Sequence, residues 1–536
     1  MATAQSSFTI RPAAPTSEDP YTYQPGFGNS FASEAIPGCL PIGQNSPQKV
    51  KFGLYAEQLT ATAFVAPRAT NQKLWMYRMR PSVAHQGFTR MQDNPDMESN
   101  FLPMNPKVHV SPTQVAWRPF ALPKDGEKVD FVDGLKTLAG TGEPSLKSGL
   151  AIHMYLANTD MVHRAYINND GDMLIVPQLG RLDIQTELGH LMVKPGEICV
   201  IQRGLRFKVK LPDGPSRGYI QEVYGAHYKL PELGPLGANG LANPRDFEHP
   251  VASFDVDQSG WEIVYKLQVM SSQNGNHLVM LSRTFAVRCG RLAWELWVNW
   301  IPPIKPPRHS SRILADVPYK YDMFRFVNVG SISVDHIDPS IFCVLTVDSQ
   351  EEGTPLADFL IFAPRWDVAS NTFRPPYFHR NAASEFMGLV LGDYGGRSDD
   401  FAPGGASYEC GHVPHGVDYP TFKAASEIEQ NGAQWISDKT IAIMFESSRG
   451  FTLTDWAITG SGTIHYHEPS QSNIIPFTAK MWDPLESEFI ERLDEVNAHL
   501  ATFGLAAIEK GNAVKGNKGL KSRYVEGGKG IQGTKH

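Results

Sequence analysis

One pattern repeats from Gly149 to Leu211: short apolar runs alternate with turn residues. Runs such as Ala151–Leu156 and Ile198–Ile201 are too short for helices, and turns such as Lys194–Glu197 separate them. Strands at intervals of about 8–12 residues are typical of sandwiches and small barrels. The pattern therefore predicts a mainly β protein with a few short helices.

A second stretch, Met323 to Thr454, has the same character. Its strand candidates are Phe342–Val347, Phe359–Phe362 and Phe386–Leu391. In the first stretch, Pro177 is expected to end the strand candidate Asp172–Pro177. Two separate β regions predict two sandwich- or barrel-like units.

Composition narrows the class of protein. Hydrophobic residues make up 41% and charged residues 20%, which suits a globular core, and the net charge of -7 argues against nucleic-acid binding. The five cysteines are widely spaced, so neither a disulfide framework nor a zinc finger is expected. With neither a membrane-length apolar window nor a signal peptide visible, we expect a cytoplasmic protein without a membrane partner.

Composition shifts suggest the domain boundaries. Leu485, Phe489, Leu493, Val496 and Leu500 form a helical stripe after the capping pair Asp483-Pro484. The predicted organisation is a flexible lead (1–22), an N-terminal β-sandwich domain (23–322), a C-terminal β domain (323–468), an insert with a helix (469–508) and a disordered tail (509–536).

The strongest candidate for chemistry is His379 with Glu385, followed by His415. Two histidines and one carboxylate form the ligand set of non-haem Fe(II) oxygenases, which leaves positions open for substrate and O₂. His336 lies just before a strand candidate and could serve as a base. A structural role for each of these histidines is the plain alternative, since the chain has 17.

A rival metal site is the His465-Tyr466-His467 stretch. A His-x-His pair places both rings on one face of a strand, but Glu468-Pro469 follows at once, which favours a surface loop. The chain carries neither the glycine-rich phosphate-binding loop nor the Gly-x-Ser-x-Gly elbow.

Several longer blocks resemble one family. They are Gly26–Asn29, Leu54–Leu59, Asn169–Asp172, Ile198–Gly204, Gly234–Phe247, Asp335–Phe342, Phe373–Asn381, Ser384–Gly388 and Pro414–Gly416. Over about Tyr23–Leu267 and Val317–Pro484 the chain resembles the homogentisate 1,2-dioxygenase family, whose members are ring-cleaving iron enzymes of tyrosine and phenylalanine breakdown.

The resemblance carries specific implications. It implies that His379, Glu385 and His415 hold Fe(II), that His336 is the acid–base residue, and that Tyr394 and His415 contact the substrate. It also implies two cupin-like, jelly-roll barrels, a homohexamer, and cleavage of homogentisate by O₂ to maleylacetoacetate. The alternatives are a dioxygenase for another hydroquinone acid such as gentisate, or a cupin-type binding protein without catalysis.

Two smaller stretches depart from the family pattern. Glu409 stands where the resembled family commonly has a histidine, and it adds negative charge. Ser470–Thr478 looks inserted, with a local effect.

The larger departure is Gln268–Asp316, which contains Trp294, Trp297 and Trp300. The family has a shorter stretch there, ending in a Trp-His-Gly-Asn block before the residues found here as Pro318–Tyr321. Two interpretations of Gln268–Asp316 are open. It is a translated intron or misjoined exon, which would impair catalysis, or it is a tolerated surface insertion. Loss of the Trp-His-Gly-Asn block favours the first interpretation.

The intron hypothesis predicts that the mature transcript lacks the coding sequence for most of this block. Sequencing the transcript tests it, and a message that encodes the block in frame would reject the hypothesis.

Overall fold

A computed structural model gives the fold. It describes residues 14–28, 32–67, 71–91, 94–112, 114–257, 259–267, 317–394, 401–429, 432–436, 439–460 and 488–509, together with the backbone of strands Arg283–Cys289 and Val298–Trp300. The chain divides into two compact units, Met1–Phe477 and Thr478–His536. Strands dominate the first unit, which confirms the predicted mainly β class.

The strands of the first unit form five sheets. The ten-stranded sheet has the order Tyr23–Pro25, Phe247–Pro250, Tyr319–Asp322, Glu197–Ile201, Gly171–Leu179, Ser216–Tyr224, Ser148–Ala157, Leu135–Glu143, Thr452–Thr454, Val108–His109. The seven-stranded sheet has the order Gly189–Val193, Leu182–Thr186, Arg206–Lys210, Arg164–Asn168, Trp261–Leu267, Arg283–Cys289, Phe88–Arg90.

The remaining sheets are smaller. The six-stranded sheet has the order Cys343–Asp348, Pro355–Phe362, Ile441–Ser447, Ser384–Leu391, Ala406–Glu409, Val115–Trp117. A four-stranded sheet has the order Ala32–Glu34, Val298–Trp300, Lys73–Arg78, Tyr55–Thr60, and a two-stranded sheet pairs Arg365–Asp367 with Gln434–Ile436.

The ten-stranded sheet is the middle layer of the first unit. One face packs against the six-stranded sheet, with Ile152 and Tyr219 in the same core as Phe386. The other face packs against the seven-stranded sheet, where Ile175 and Phe207 share a second core. Burial on both faces explains why its strands read as continuous apolar runs and not as alternating ones.

Tyr219 joins the middle layer to the six-stranded sheet. Its hydroxyl donates to the carbonyl oxygens of Leu389 at 3.0 Å and Gly405 at 2.6 Å. A Cβ at Gly388 would lie 2.9 Å from the Tyr219 ring, so only glycine fits between the layers there.

The two β regions exchange strands. Val115–Trp117, from the N-terminal region, pairs with Ala406–Glu409 in the six-stranded sheet. Thr452–Thr454, from the C-terminal region, pairs with Leu135–Glu143 in the ten-stranded sheet. Both regions therefore belong to one compact unit, and the boundary between residues 322 and 323 stays a prediction.

The predicted strands are confirmed with small shifts, but the expected stop at Pro177 is wrong. The strand Gly171–Leu179 continues through Pro177, with a register shift between Pro177 and Leu179. On its other side the strand pairs with Glu197–Ile201 only over Met173–Ile175. Because Pro177 has one strand neighbour instead of two and lies at an irregularity, its missing N–H is tolerated.

Part of the predicted lead is tied to the sheet. The carboxylate of Asp19 accepts from the Lys320 ammonium at 2.5 Å and from the Tyr23 hydroxyl at 2.8 Å. Lys320 is buried in the ten-stranded sheet, so its ion pair with Asp19 fixes the segment before Tyr23 against that sheet.

Helices are few in the described chain. Tyr419–Glu427 is an α-helix that the sequence reading missed; Asp418 caps it by accepting from the Thr421 N–H at 2.9 Å. In the second unit the predicted C-terminal helix is present as Glu488–Glu491 and Leu493–Thr502, while its predicted cap Asp483 lies outside the described residues.

Short helical turns complete the described chain. They are Lys51–Gly53, Pro144–Leu146, Gly234–Leu236, Pro244–Asp246, Met323–Arg325, Pro339–Phe342 and the π-turn Trp456–Gly460. None of the helices described is long and apolar enough to cross a membrane.

His249 in the strand Phe247–Pro250 gives a pH prediction. Burial lowers its pKa to about 4, although its Nδ1 lies 3.1 Å from the Pro318 carbonyl oxygen. Between pH ~6.5 and the folded-state value, the unfolded chain takes up a proton that the folded chain does not. Stability should therefore fall as pH falls through this window, by about 3 kcal/mol in all.

The test compares melting temperatures of wild type and His249→Gln from neutral to mildly acid pH. The variant should lose less stability on acidification than wild type. The exposed His163→Gln is the control, and equal acid sensitivity of wild type and His249→Gln would contradict the prediction.

Candidate metal centre

His379, Glu385 and His415 come together as the sequence predicts. One ligand atom from each lies within 4.8 Å of the others, and among the described residues this is the set that could hold a metal ion. The His379 and His415 Nε2 atoms lie 3.8 Å and 3.6 Å from the Glu385 carboxylate oxygens. These distances exceed a hydrogen bond and leave a space that three ligands surround.

Backbone pairing sets this arrangement. Glu385 lies on the strand Ser384–Leu391, whereas the histidines lie on two loops that meet in an antiparallel bridge. The His379 N–H donates to the His415 carbonyl at 3.1 Å, and the His415 N–H donates back at 3.1 Å. The bridge holds the two imidazoles side by side, with ring centroids 4.2 Å apart.

The chemistry of the donors fits a metal ion. The Nδ1 atoms of His379 and His415 lie 2.7 Å and 2.9 Å from the carbonyl oxygens of Tyr377 and Val413. Each Nδ1 must carry the proton to donate to a carbonyl, which leaves Nε2 with a lone pair. The Nε2 of His415 is buried and has no hydrogen-bond partner, as expected for an atom whose partner is a metal.

The electrostatics favour a cation. Burial alone raises the pKa of Glu385, but the imidazoles of His379 and His415 and the Asn381 amide outweigh burial and hold the pKa at about 2. The Glu385 carboxylate raises the pKa of His379, and it outweighs the lowering effect of burial at His415. Protons therefore compete with a metal for the imidazoles, and acid should release the metal.

A row of carboxylates crosses the six-stranded sheet at this point. Glu385 lies opposite Glu409 on one neighbouring strand and opposite Glu446 on the other, and Glu446 lies opposite Asp358. Burial and the charges of Glu385 and Asp358 raise the pKa of Glu446 to about 7. The sheet therefore gathers acidic side chains beside the ligand set, and their crowding favours the protonated form of Glu446.

The ring of Tyr377 lies between His336 and the ligand set and contacts both. The His336 ring centroid is 4.8 Å from that of Tyr377, which is 5.6 Å from that of His379. Asp335 before it has a φ of 77°, a strained conformation of the kind found at functional sites. The expected strand after His336 begins later, because the turn Pro339–Phe342, capped by Asp338, intervenes.

Tyr394 lies over an apolar surface beside the centre. It packs against a buried cluster that includes Met387 and Leu389, from the strand of Glu385, and Ile337, next to His336, packs against the same cluster. Its ring centroid is 5.9 Å from that of Phe401. The same apolar surface therefore connects Tyr394, His336 and the ligand-bearing strand.

Sequence reasoning missed three residues of the site. Asn381, whose amide donates to Glu385, stood inside a quoted motif, so its spacing could have drawn attention to it. Glu446 and Gln114 are far away in sequence, and strand register alone brings them close. The rival pair His465 and His467 lies outside the described residues.

The mainly β fold and this cluster define the class: a β-sheet protein with a two-histidine, one-carboxylate site for a metal ion.

Comparisons with known proteins add the family. A family model described as Homogentisate 1,2-dioxygenase N-terminal matches residues 22–279, and one described as Homogentisate 1,2-dioxygenase C-terminal matches residues 324–473. The chain therefore belongs to the homogentisate 1,2-dioxygenase family, a family of oxidoreductases. Most of the atypical block 268–316 lies outside both matches.

Curated relatives agree over most of the chain. Proteins named homogentisate 1,2-dioxygenase are 45% identical in Caenorhabditis elegans, over 88% of this chain and 98% of theirs, and 44% identical in Homo sapiens, over 87% and 96%. The Emericella nidulans protein of that name is 46% identical, over 88% and 97%.

Solved structures give only weak likeness. A point mutant of Bacillus subtilis oxalate decarboxylase matches with a TM-score of 0.26 and 8% identity, over 64% of this chain and 79% of that chain. A score this low carries no argument about the fold or the function.

The cluster predicts where the metal binds. His379→Ala should remove one of three ligands and abolish metal retention, because two ligands do not hold a divalent ion against dialysis. Metal content after gel filtration measures this. His467→Ala, in the rival site, is the matched control and should keep its metal; the opposite result for the two variants would move the site to His465 and His467.

Proposed function

We propose that this protein is a homogentisate 1,2-dioxygenase that holds Fe(II) at His379, Glu385 and His415. The observation that carries the proposal is the convergence of these three ligand atoms within 4.8 Å, in a chain of this family. The reaction opens the ring of homogentisate between the acetate-bearing carbon and its hydroxylated neighbour. Both atoms of one O₂ enter the product, maleylacetoacetate.

The donor set suits Fe(II), since two imidazoles and one carboxylate leave positions for substrate and O₂. When bound, the ferrous ion makes the phenol more acidic and brings the electron-rich ring and O₂ together. Backbone carbonyls accept the Nδ1 protons of both imidazoles, which fixes the tautomer that presents Nε2 to the metal, and the Asn381 amide orients the carboxylate of Glu385.

His336 is the proposed acid–base residue. Its Nδ1 lies 2.9 Å from the Ile337 carbonyl oxygen, so Nδ1 carries the proton and Nε2 is the acceptor. Nε2 can take the proton of the substrate hydroxyl and return it to the product. The edge-to-face contact with Tyr377 holds the ring in place.

Tyr394 and His415 are the proposed substrate contacts. Tyr394 borders the apolar surface around Met387 and Leu389, which suits one face of an aromatic ring. The proposal also includes the homohexamer that the family resemblance implies, which light scattering after gel filtration measures.

The function is tested by mixing the Fe(II)-loaded protein with homogentisate in air. We expect one O₂ consumed per homogentisate and the ultraviolet absorbance of maleylacetoacetate. Absence of uptake with iron shown to be bound would refute the activity and would favour a catalytically impaired protein. Faster turnover of gentisate under the same conditions would favour the alternative substrate.

His336→Ala should keep its iron but lose at least ~100-fold in kcat, because the proton acceptor is lost while the ligand set is intact. Iron content and O₂ uptake are measured on the same preparation. The exposed His163→Ala is the control. Full turnover in the His336 variant would remove the acid–base assignment.

A further inference from the structure

Glu409 is a buried acid that the ligand set does not use. Its side chain belongs to a residue only 2% exposed, and it stands directly opposite Glu385 on the adjacent antiparallel strand. Residues paired in this way have Cβ atoms about 5 Å apart. Its carboxylate is not one of the atoms that converge within 4.8 Å, so it lies beside the metal site and not in it.

Polar neighbours hold Glu409 as an acceptor. The Gln114 amide donates to one carboxylate oxygen at 2.6 Å, and the Ser407 hydroxyl lies 3.5 Å from the other. Both contacts suit an ionised carboxylate, which accepts hydrogen bonds and donates none. Because paired residues point to the same face of a sheet, the side chain of Glu409 lies on the same face as the metal-ligand candidate Glu385.

The charge balance of the centre indicates what the Glu409 carboxylate could do there. Two neutral imidazoles and the Glu385 carboxylate leave a bound divalent cation with one uncompensated positive charge. Glu385 and His415 are only 7% and 9% exposed and the His379 side chain is 24% exposed, so water reaches the centre mainly from the side of His379 and screens the charge incompletely. The Glu409 carboxylate, on the neighbouring strand, offsets this positive charge.

Without a cation the same arrangement is unfavourable. Glu385 and Glu409 then face each other as like charges on paired strands, which destabilises a sheet. The carboxylate of Glu409 should therefore lower the stability of the metal-free protein. Binding of the cation should remove this destabilisation.

We propose that Glu409 strengthens metal binding through its charge, as the counter-ion that neutralises a divalent cation held by His379, Glu385 and His415. The inference rests on the proposed metal site but not on the substrate. It assigns Glu409 a charge-balancing role and not a part in the reaction itself.

The test titrates the metal-free full-length chain with CoCl₂ by calorimetry and measures its melting temperature. Glu409→Gln should weaken Co²⁺ binding at least ~10-fold. It should also raise the melting temperature of the metal-free protein, because the like-charge pair is gone. A structural role for Glu409 would lower that melting temperature instead.

Two further variants separate charge from hydrogen bonding. Gln114→Leu removes the hydrogen bond and keeps the charge, so it should lower stability and leave the Co²⁺ affinity within ~3-fold of wild type. Glu409→Asp keeps the charge and should keep the affinity within the same range. The exposed Glu352→Gln controls for net charge and should change neither quantity.

The outcomes are distinguishable. Equal Co²⁺ affinity of wild type and Glu409→Gln overturns the inference and leaves the proposed function intact. Failure of the wild type to bind Co²⁺ overturns both. If Glu409→Gln does not fold, Glu409→His is titrated in its place and should show the same loss of affinity.

Discussion

The architecture depends on a single sheet that is covered on both faces. The ten-stranded sheet provides one wall of each of the two main cores, so its central strands Ser148–Ala157 and Gly171–Leu179 have no polar face turned to solvent. The six-stranded sheet presents one face to this core and the other to a smaller buried cluster that includes Met387 and Leu389. Glu385 lies on this second face, two residues before Met387, so the candidate metal centre stands on a strand whose other face is fixed by packing.

The centre combines a rigid element with two loops. Glu385 takes its position from strand pairing on both sides, whereas His379 and His415 take theirs from a two-bond bridge between loops. The strand thus supplies precision, and the loops supply the imidazoles with backbone carbonyls that fix their tautomers. Acidic side chains from four strands lie in one row because the strand register places them opposite one another.

Much of this was predictable from the chain, for identifiable reasons. The strands of Gly149–Leu211 are predictable because local apolar runs carry their signal. The residues alone left the set of His379, Glu385 and His415 open, and it was the family resemblance that assigned the metal to these three, which the structure brings together. The predicted end of the strand at Pro177 was wrong because the tolerance of a proline depends on how many strands pair with it, which is a property of the whole sheet. Gln114 and Glu446 were missed because their nearness to Glu385 is created by register between distant segments.

The exchanged strands bear on how this chain reaches its fold. Leu135–Glu143 gains its neighbour Thr452–Thr454 more than three hundred positions later along the chain, and the sheet that carries Glu385 is bordered by Val115–Trp117 from far upstream. Closing such long loops carries an entropic cost before any contact repays it, and non-local pairing slows folding. During synthesis on the ribosome, therefore, neither sheet can be finished until nearly the whole polypeptide has emerged. Until then the edge strands lack their partners, and unpaired strand edges are prone to aggregate. We therefore expect nascent chains of this protein to need chaperones.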